Sequence, residues 1–354
     1  MNDFFTEFLF EYGLFTAKTI TFFVIVILSV AILAILSFSK GNKDKESIEI
    51  EKINEKFDAL QEALEQGVLS KEELKALEKE RKKKAKAEKK GEKNPQEAES
   101  GDDNKKRKVL FVTRFFGDVE ASAVSTLRES ITAILSIATP EDEVVVILES
   151  SGGYVHNYGL AASQLKRIRD RQVKLTVIVD LVAASGGYLM ACVANQILAA
   201  PFAVIGSIGV FAQIPNFNRL LDKHDVDIEQ HTAGEYKANI TMLGKVTDKA
   251  RKKFKEELED THQLFKEFVL EHRPELDINR LATGEHWYGK QALQLKLIDA
   301  IQTSDDYLMQ HKDDTDIFEV SYVIEESIKE RLMHWLESSI SKTFAKLLRK
   351  QNFI

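Results

Sequence analysis

A single cysteine, Cys192, stands among the 354 residues. One cysteine excludes an intrachain disulfide, and its place in an apolar stretch reads as a small core residue. The eight histidines show no His-x-x-x-His spacing, and there is no Cys-x-x-Cys pair. The ligand patterns of a zinc site are therefore missing, and neither a metal nor another cofactor is expected. An excess of one charge sign is missing too: 49 Lys and Arg against 56 Asp and Glu leave a net charge of -7. So mild an acidity carries no footprint for nucleic acid.

Long uncharged runs are nearly absent, and the exception is informative. Residues 20–38 form an uncharged run of roughly 19, close to the ~20 that a helix needs to cross the hydrocarbon core. The chain start is acidic (Asp3, Glu7, Glu11), unlike the basic start and short apolar run of a cleaved signal peptide. The run therefore reads as a transmembrane anchor after a short segment, 1–19. Only Lys18 precedes it, whereas Lys40, Lys43, Lys45 and Lys52 follow, so the positive-inside rule puts the large C-terminal part in the cytoplasm. The other apolar stretch, 175–211, is interrupted by Asp180, Asn195, Gln196 and Pro201. It reads as buried strands with a short helix between them.

Residues 39–107 are rich in Lys and Glu. Ile50, Ile53, Phe57, Leu60 and Leu64 recur at three- and four-residue spacing, a helix stripe that fits either a short coiled coil or a helix lying on the body. The remainder reads as a solvated spacer. The folded body, 108–312, alternates strand and helix: strand at 109–113, helix at 119–138, strand at 144–148, helix at 157–170, strand at 175–181. Continuously apolar strands separated by helices imply an α/β fold with a mostly parallel sheet covered on both faces. A long amphipathic helix is expected over 247–272 and a short one over 288–297. In the last segment, 313–354, apolar residues from Ile328 to Leu348 keep near-helical spacing and Lys342, Lys346, Arg349 and Lys350 cluster at the end. Such a basic amphipathic helix suits a membrane surface or a neighbouring subunit.

The chemistry gathers at three turns. Ser185, in Val182-Ala183-Ala184-Ser185-Gly186-Gly187-Tyr188, falls between a buried strand and a helix, where a hydroxyl meets unpaired backbone N–H groups. Gly152-Gly153 also follows a buried strand. Carboxyl ends of parallel strands share one edge, so the N–H groups of Gly152 and Gly186 are candidates for an oxyanion hole serving Ser185. For a base, His156 lacks an evident orienting carboxylate. Lys237, in Gly234-Glu235-Tyr236-Lys237, follows a glycine turn, and a desolvated lysine is a known partner of a serine nucleophile.

Taken together, A-A-S-G-G-Y around Ser185, the L-E-S-S-G-G loop before it, G-S-I-G-V at 206–210 and G-E-Y-K at 234–237 resemble the signal peptide peptidase A family of Ser-Lys peptidases. The resemblance runs along nearly the whole chain, from E-Y-G-L-F at 11–15 through P-N-F-N-R at 215–219 to A-T-G-E-H-W-Y-G at 282–289, and is strongest to the membrane-anchored branch. It implies a ClpP/crotonase-like spiral of ββα units behind one transmembrane helix. It also implies a serine endopeptidase in a bacterial inner membrane, acting on short apolar segments such as signal-peptide remnants. Ser185 would be the nucleophile, Lys237 the general base, Ser207 the residue orienting the lysine, and Gly152 and Gly186 the oxyanion donors. The expected partners are a peptide or protein substrate, the lipid bilayer and further copies of the chain in a ring, with no nucleic acid. The alternatives are a non-catalytic membrane scaffold on the same fold, and an acyl-CoA enzyme, which would leave the Ser185, Ser207 and Lys237 set unexplained. One position departs from the family: Ser151 stands where proline is usual, which loosens the backbone entering the glycine turn.

Overall fold

The computed structural model describes residues 45–91, 107–237 and 240–325, together with 10, 12–23, 25, 26 and 29. The chain divides into two units, Met1–Ser47 with Val323–Ile354, and Ile48–Tyr322. Nearly all of the sheet belongs to the second.

Among the described residues the sheet has ten strands. They are β1 (Lys45–Lys52), β2 (Val109–Gly117), β3 (Glu143–Ser150), β4 (Lys174–Val179), β5 (Val182–Ala184), β6 (Gln196–Ala199), β7 (Val204–Gly206), β8 (His286–Tyr288), β9 (Ala300–Ile301) and β10 (Asp316–Glu325). The main path runs β1-β10-β2-β3-β4-β6-β9, and β5, β7 and β8 branch from it at β3. From β10 to β9 every pair is parallel; on the branch, β3-β5 and β5-β7 are parallel and β7-β8 is antiparallel. The expected α/β class with a mostly parallel sheet is what the structure has.

Strand β3 illustrates why its sequence is apolar throughout. Val144, Val146 and Leu148 enter the larger core, with side chains from the Val124–Ile137, Val155–Asp170 and Gly186–Ala191 helices. Val145 and Ile147 point to the opposite face, against Ile53, Tyr307 and Leu308. Successive strand residues alternate faces, so a strand covered on both sides shows no alternation. The covering helices do show periodicity: Val124, Leu127, Ile131 and Ile134 form the buried stripe of Val124–Ile137. Cys192 is fully buried in the larger core, and burial pushes its thiol pKa well up.

Several boundaries differ from the sequence reading. The strand expected at 175–181 is two strands. β4 stays on the main path beside β6, and after a bend at Asp180 the chain resumes as β5, opposite Ser150. The bend is held because the Asp180 carboxylate accepts hydrogen bonds from Ser304 N (2.9 Å) and Ser304 Oγ (2.5 Å). Ile50 belongs to β1, so the helical stripe begins only at Ile53, the first residue of the Ile53–Val68 helix. Ile53 and Phe57 pack on the body, while Leu60 and Leu64 are exposed. Asn54 docks this helix, donating to Lys312 O and Thr315 O and accepting from Ile317 N. Of the segment expected to be helical at 313–354, residues 316–325 are strand β10, and 326–354 lie outside the described residues. Residues 12–23 are helical. Most of the anchor expected at 20–38 lies outside the described residues, and among those described no helix is long and apolar enough to cross a membrane.

Candidate active site

The fork in the sheet creates the site. Ser150, the last residue of β3, pairs in register with Ala183 of β5, and Ala184 pairs with Gly206 of β7. Three parallel strands therefore end together, delivering the Ser151–Tyr154 loop, Ser185 and Ser207 to one edge.

Ser185 leaves β5 with φ 51° and ψ -119°, a conformation costly for a residue with a Cβ. Its N–H donates to Gly206 O at 2.8 Å, which fixes the turn. The Gly186–Ala191 helix starts at the next residue, and the Ser185 side chain makes no capping hydrogen bond. A serine on such a sharp strand-to-helix turn presents its Oγ outward, as a nucleophile must.

Gly152 has φ 87°, and a Cβ added to it would lie 2.6 Å from Gly186 N and 2.9 Å from Ala184 O. Only glycine fits this backbone and this contact. The two loops that the sequence reading paired are thus in van der Waals contact. Gly152 N–H, however, donates to Ser150 Oγ at 3.0 Å. The next residue, Gly153, lines a cleft together with Ser185 and Gly186. Its N–H has no backbone partner among the described hydrogen bonds.

That cleft, about 170 Å³ in volume, is walled by Val155, Leu189, Val210, Leu264, Phe265 and Phe268, with Ser185 in its lining. The last three come from the Asp248–His272 helix. The sequence reading gave that helix no part in the site. Its apolar residues 264, 265 and 268 share one face, but a face can serve a core as well as a cleft, and periodicity does not distinguish the two. Gly153 lines the cleft beside the expected Gly152, and the sequence reading gave it no part in the site.

The remaining predicted residues lie as follows. Ser207, with φ 51°, donates its N–H to Glu285 O at 2.7 Å and its Oγ–H to Gly284 O at 3.3 Å. Lys237 sits in an exposed turn, its N–H donating to Gly234 O at 3.2 Å. Its neighbours are tied to the Asp248–His272 helix: Glu235 pairs with Lys249, and Lys249 and Lys253 stand over the Tyr236 ring. Among the described residues, no hydrogen bond joins Lys237 to Ser185 or Ser207. His156 is exposed and stacks on Tyr154, 5.9 Å between ring centroids, with no bond to Ser185 among those described. Ser185 and Gly186 are thus brought against Gly152, with Gly153 in the lining of the same cleft.

Two family models match the chain. The description "Peptidase family S49 N-terminal" matches residues 7–165, and "Peptidase family S49" matches residues 167–317. The chain belongs to peptidase family S49. It is 45% identical over 361 residues, covering 99% of this chain and 98% of the relative, to the probable protease SohB of Haemophilus influenzae. It is 51% identical over 248 residues, 70% of this chain and 74% of the relative, to the probable protease SohB of Buchnera aphidicola subsp. Acyrthosiphon pisum. An S49 peptidase on an α/β sheet is accordingly the coarse identity of the protein, and the resemblance read from the motifs agrees with it.

Proposed function

We propose that the chain is a serine endopeptidase that attacks peptide bonds with Ser185, uses Lys237 as general base, and is held at a membrane by residues 20–38. The observation that carries this reading is the Ser185 turn: a strained, uncapped serine in the lining of an apolar cleft that Gly153 and Gly186 also line.

In this reading the neutral amine of Lys237 takes the Ser185 proton as Oγ attacks the peptide carbonyl. The resulting oxyanion lies against the N–H groups of Gly186 and of the Gly152-Gly153 loop, Gly153 being the donor not already bonded to Ser150. The ammonium then donates to the leaving amine, and water releases the acyl enzyme. Ser207 orients the lysine. The apolar walls of the cleft support short apolar segments, signal-peptide remnants or membrane-protein fragments, as substrates.

For the dyad to form, the exposed Lys237 segment has to close on Ser185. Phe211, Phe217, Leu220, Tyr236, Met242 and Leu243 are exposed along the same stretch, more apolar surface than a free loop needs. Covering it with neighbouring copies in a ring would desolvate the lysine and bring it to the serine. The fork at β3 supports the finer fold reading, a ClpP/crotonase-like spiral. The lysines after residue 38 support a cytoplasmic body at the bacterial inner membrane. The exposure of Lys237, with no described hydrogen bond to Ser185, is also what favours the second reading, a membrane scaffold that keeps the fold without the chemistry.

The test is hydrolysis of a fluorogenic apolar peptide by the full chain in detergent, for wild type, Ser185→Ala and Lys237→Ala. Loss of several orders of magnitude in both variants supports the dyad. Equal rates in all three leave the scaffold reading. Sedimentation of the same preparation tests the ring, and a monomer that cleaves normally would sink that part of the reading.

A further inference from the structure

We propose that Tyr158 and Ser150 are positioning residues that hold the oxyanion loop through one directional hydrogen-bond relay. The proposal rests on the reading that Gly153 and Gly186 donate to the oxyanion of Ser185.

The relay has three links. Gly152 N–H donates to Ser150 Oγ at 3.0 Å, Ser150 Oγ and Tyr158 OH are 2.5 Å apart, and Tyr158 OH donates to Asp118 O at 2.7 Å. Tyr158 has one proton and spends it on the Asp118 carbonyl, so the short middle link must run from the Ser150 hydroxyl to the tyrosine oxygen. Every donor then has an acceptor, and the chain has one sense, from the glycine loop to the loop after β2. Both side chains are buried, Ser150 at 2% and Tyr158 at 0% exposure, where such a chain is strong when complete and costly when broken. Burial raises the phenol pKa, with the Ser150 bond opposing, so the phenol keeps its proton.

Two further contacts make Tyr158 more than a core aromatic. Its ring lies directly over Gly186, where an added Cβ would run into the ring carbons. One side chain thereby buttresses both loops, the ring under the Gly186 donor and the hydroxyl behind the Gly152-Gly153 donor. Space for the relay is made by Gly117, opposite Ser150 in the β2-β3 register; a Cβ there would strike both Tyr158 OH and Ser150 Oγ. The accepting loop is itself pinned. Asp118 caps Ser122 through two hydrogen bonds of 2.8 Å, and Val119 O accepts from Tyr154 N at 2.9 Å, just beyond Gly153. Ser151 does not itself fix φ at the loop entry, and the relay restrains the residue that follows it.

The experiment compares full-length wild type, Tyr158→Phe, Ser150→Ala and the double variant for peptide hydrolysis and for inhibition by a peptide aldehyde, which forms a tetrahedral adduct with the nucleophile. Tyr158→Phe keeps the ring and removes one oxygen. Misplacing an oxyanion donor by a fraction of an ångström lowers kcat by about 10- to 100-fold in each single variant, with KM within about 2-fold. Aldehyde affinity falls by the same factor as kcat/KM, and the double variant is no worse than the poorer single, because the two residues act as a unit. A purely structural role would lower melting temperature and active fraction without that parallel. Unchanged kcat and aldehyde affinity in both singles, or losses that multiply in the double, overturn the proposal; if Tyr158→Phe does not fold, Ser150→Ala decides alone. Ser185→Ala run alongside separates the two levels. Activity retained there removes the nucleophile reading itself, whereas activity lost there with both relay variants intact removes only the relay.

Discussion

A Cβ placed on Gly152 would stand 2.7 Å from the Cβ of Ser185, so the glycine loop and the Ser185 turn occupy one space with no slack between them. Gly152 also has φ 87°, which an L side chain adopts only at a cost. Gly152→Ala is therefore expected to displace the Ser185 turn. Stability should fall by about 1–3 kcal/mol, and kcat/KM by about 100-fold or more. Thermal melting and peptide hydrolysis on one preparation check both; wild-type activity would show that the turns move independently.

Ser151→Pro should act in the opposite direction. Ser151 is exposed, does not have a positive φ, and its N–H has no backbone partner among the described hydrogen bonds. Proline would then stiffen the unfolded chain without removing a native bond, a gain of about 0.4–1 kcal/mol. A higher melting temperature with kcat unchanged is expected. A lower one would mean that the Ser151 backbone is incompatible with proline's φ.

Glu143 sets an acid limit on stability. The carboxylate is buried and accepts from Tyr307 OH at 2.6 Å, Thr176 Oγ1 at 2.7 Å, and Lys108 and Lys174 Nζ at 3.1 Å each. Burial alone would raise its pKa, but the bonds from Tyr307, Thr176 and Lys174 outweigh it and hold the carboxyl at about 2. Because the folded value lies below the unfolded value of 4.5, the stabilisation is complete above pH 4.5 and is lost as pH falls toward 2. The linkage is worth about 3 kcal/mol. Urea melts from pH 6 to 2 should show that slope, and Glu143→Gln should flatten it while lowering stability at neutral pH.

Arg273 ties the end of the helix that walls the cleft to the sheet. Arg273 is buried, and its guanidinium donates to Asp299 at 2.7 and 2.9 Å and to Lys296 O at 3.2 Å, and Asp299 also accepts from Ile197 N of β6 at 2.7 Å. Arg273→Met removes these bonds but leaves Asp299, itself exposed, in contact with solvent, and is expected to cost about 1.5–3 kcal/mol. Release of the helix end should loosen Leu264, Phe265 and Phe268 and raise KM for apolar peptides more than it lowers kcat. Denaturant melts and steady-state kinetics check the two effects; unchanged KM would mean that the cleft wall is held elsewhere.

Much of the architecture was already legible in the chain, for a local reason. Apolar runs such as Val144–Leu148 and helix stripes such as Val124, Leu127, Ile131 and Ile134 record burial residue by residue, and burial is what α/β layering requires. The strand-turn-helix settings of Ser185 and of the two glycines were visible in the same way, since each depends on its own immediate sequence. Tertiary structure alone decided how those turns meet. The fork at β3, which splits one apolar run into β4 and β5, depends on Ser304 reaching Asp180 across 124 residues of chain. The cleft wall depends on where the Asp248–His272 helix docks, and the Tyr158 relay on Gly117 lying opposite Ser150. None of these has a period or a motif, because each is a distance between residues remote in sequence. Local composition determined which elements form, while long-range packing decided that Gly153 lines the cleft with Ser185 and that Lys237 makes no described hydrogen bond to the serine.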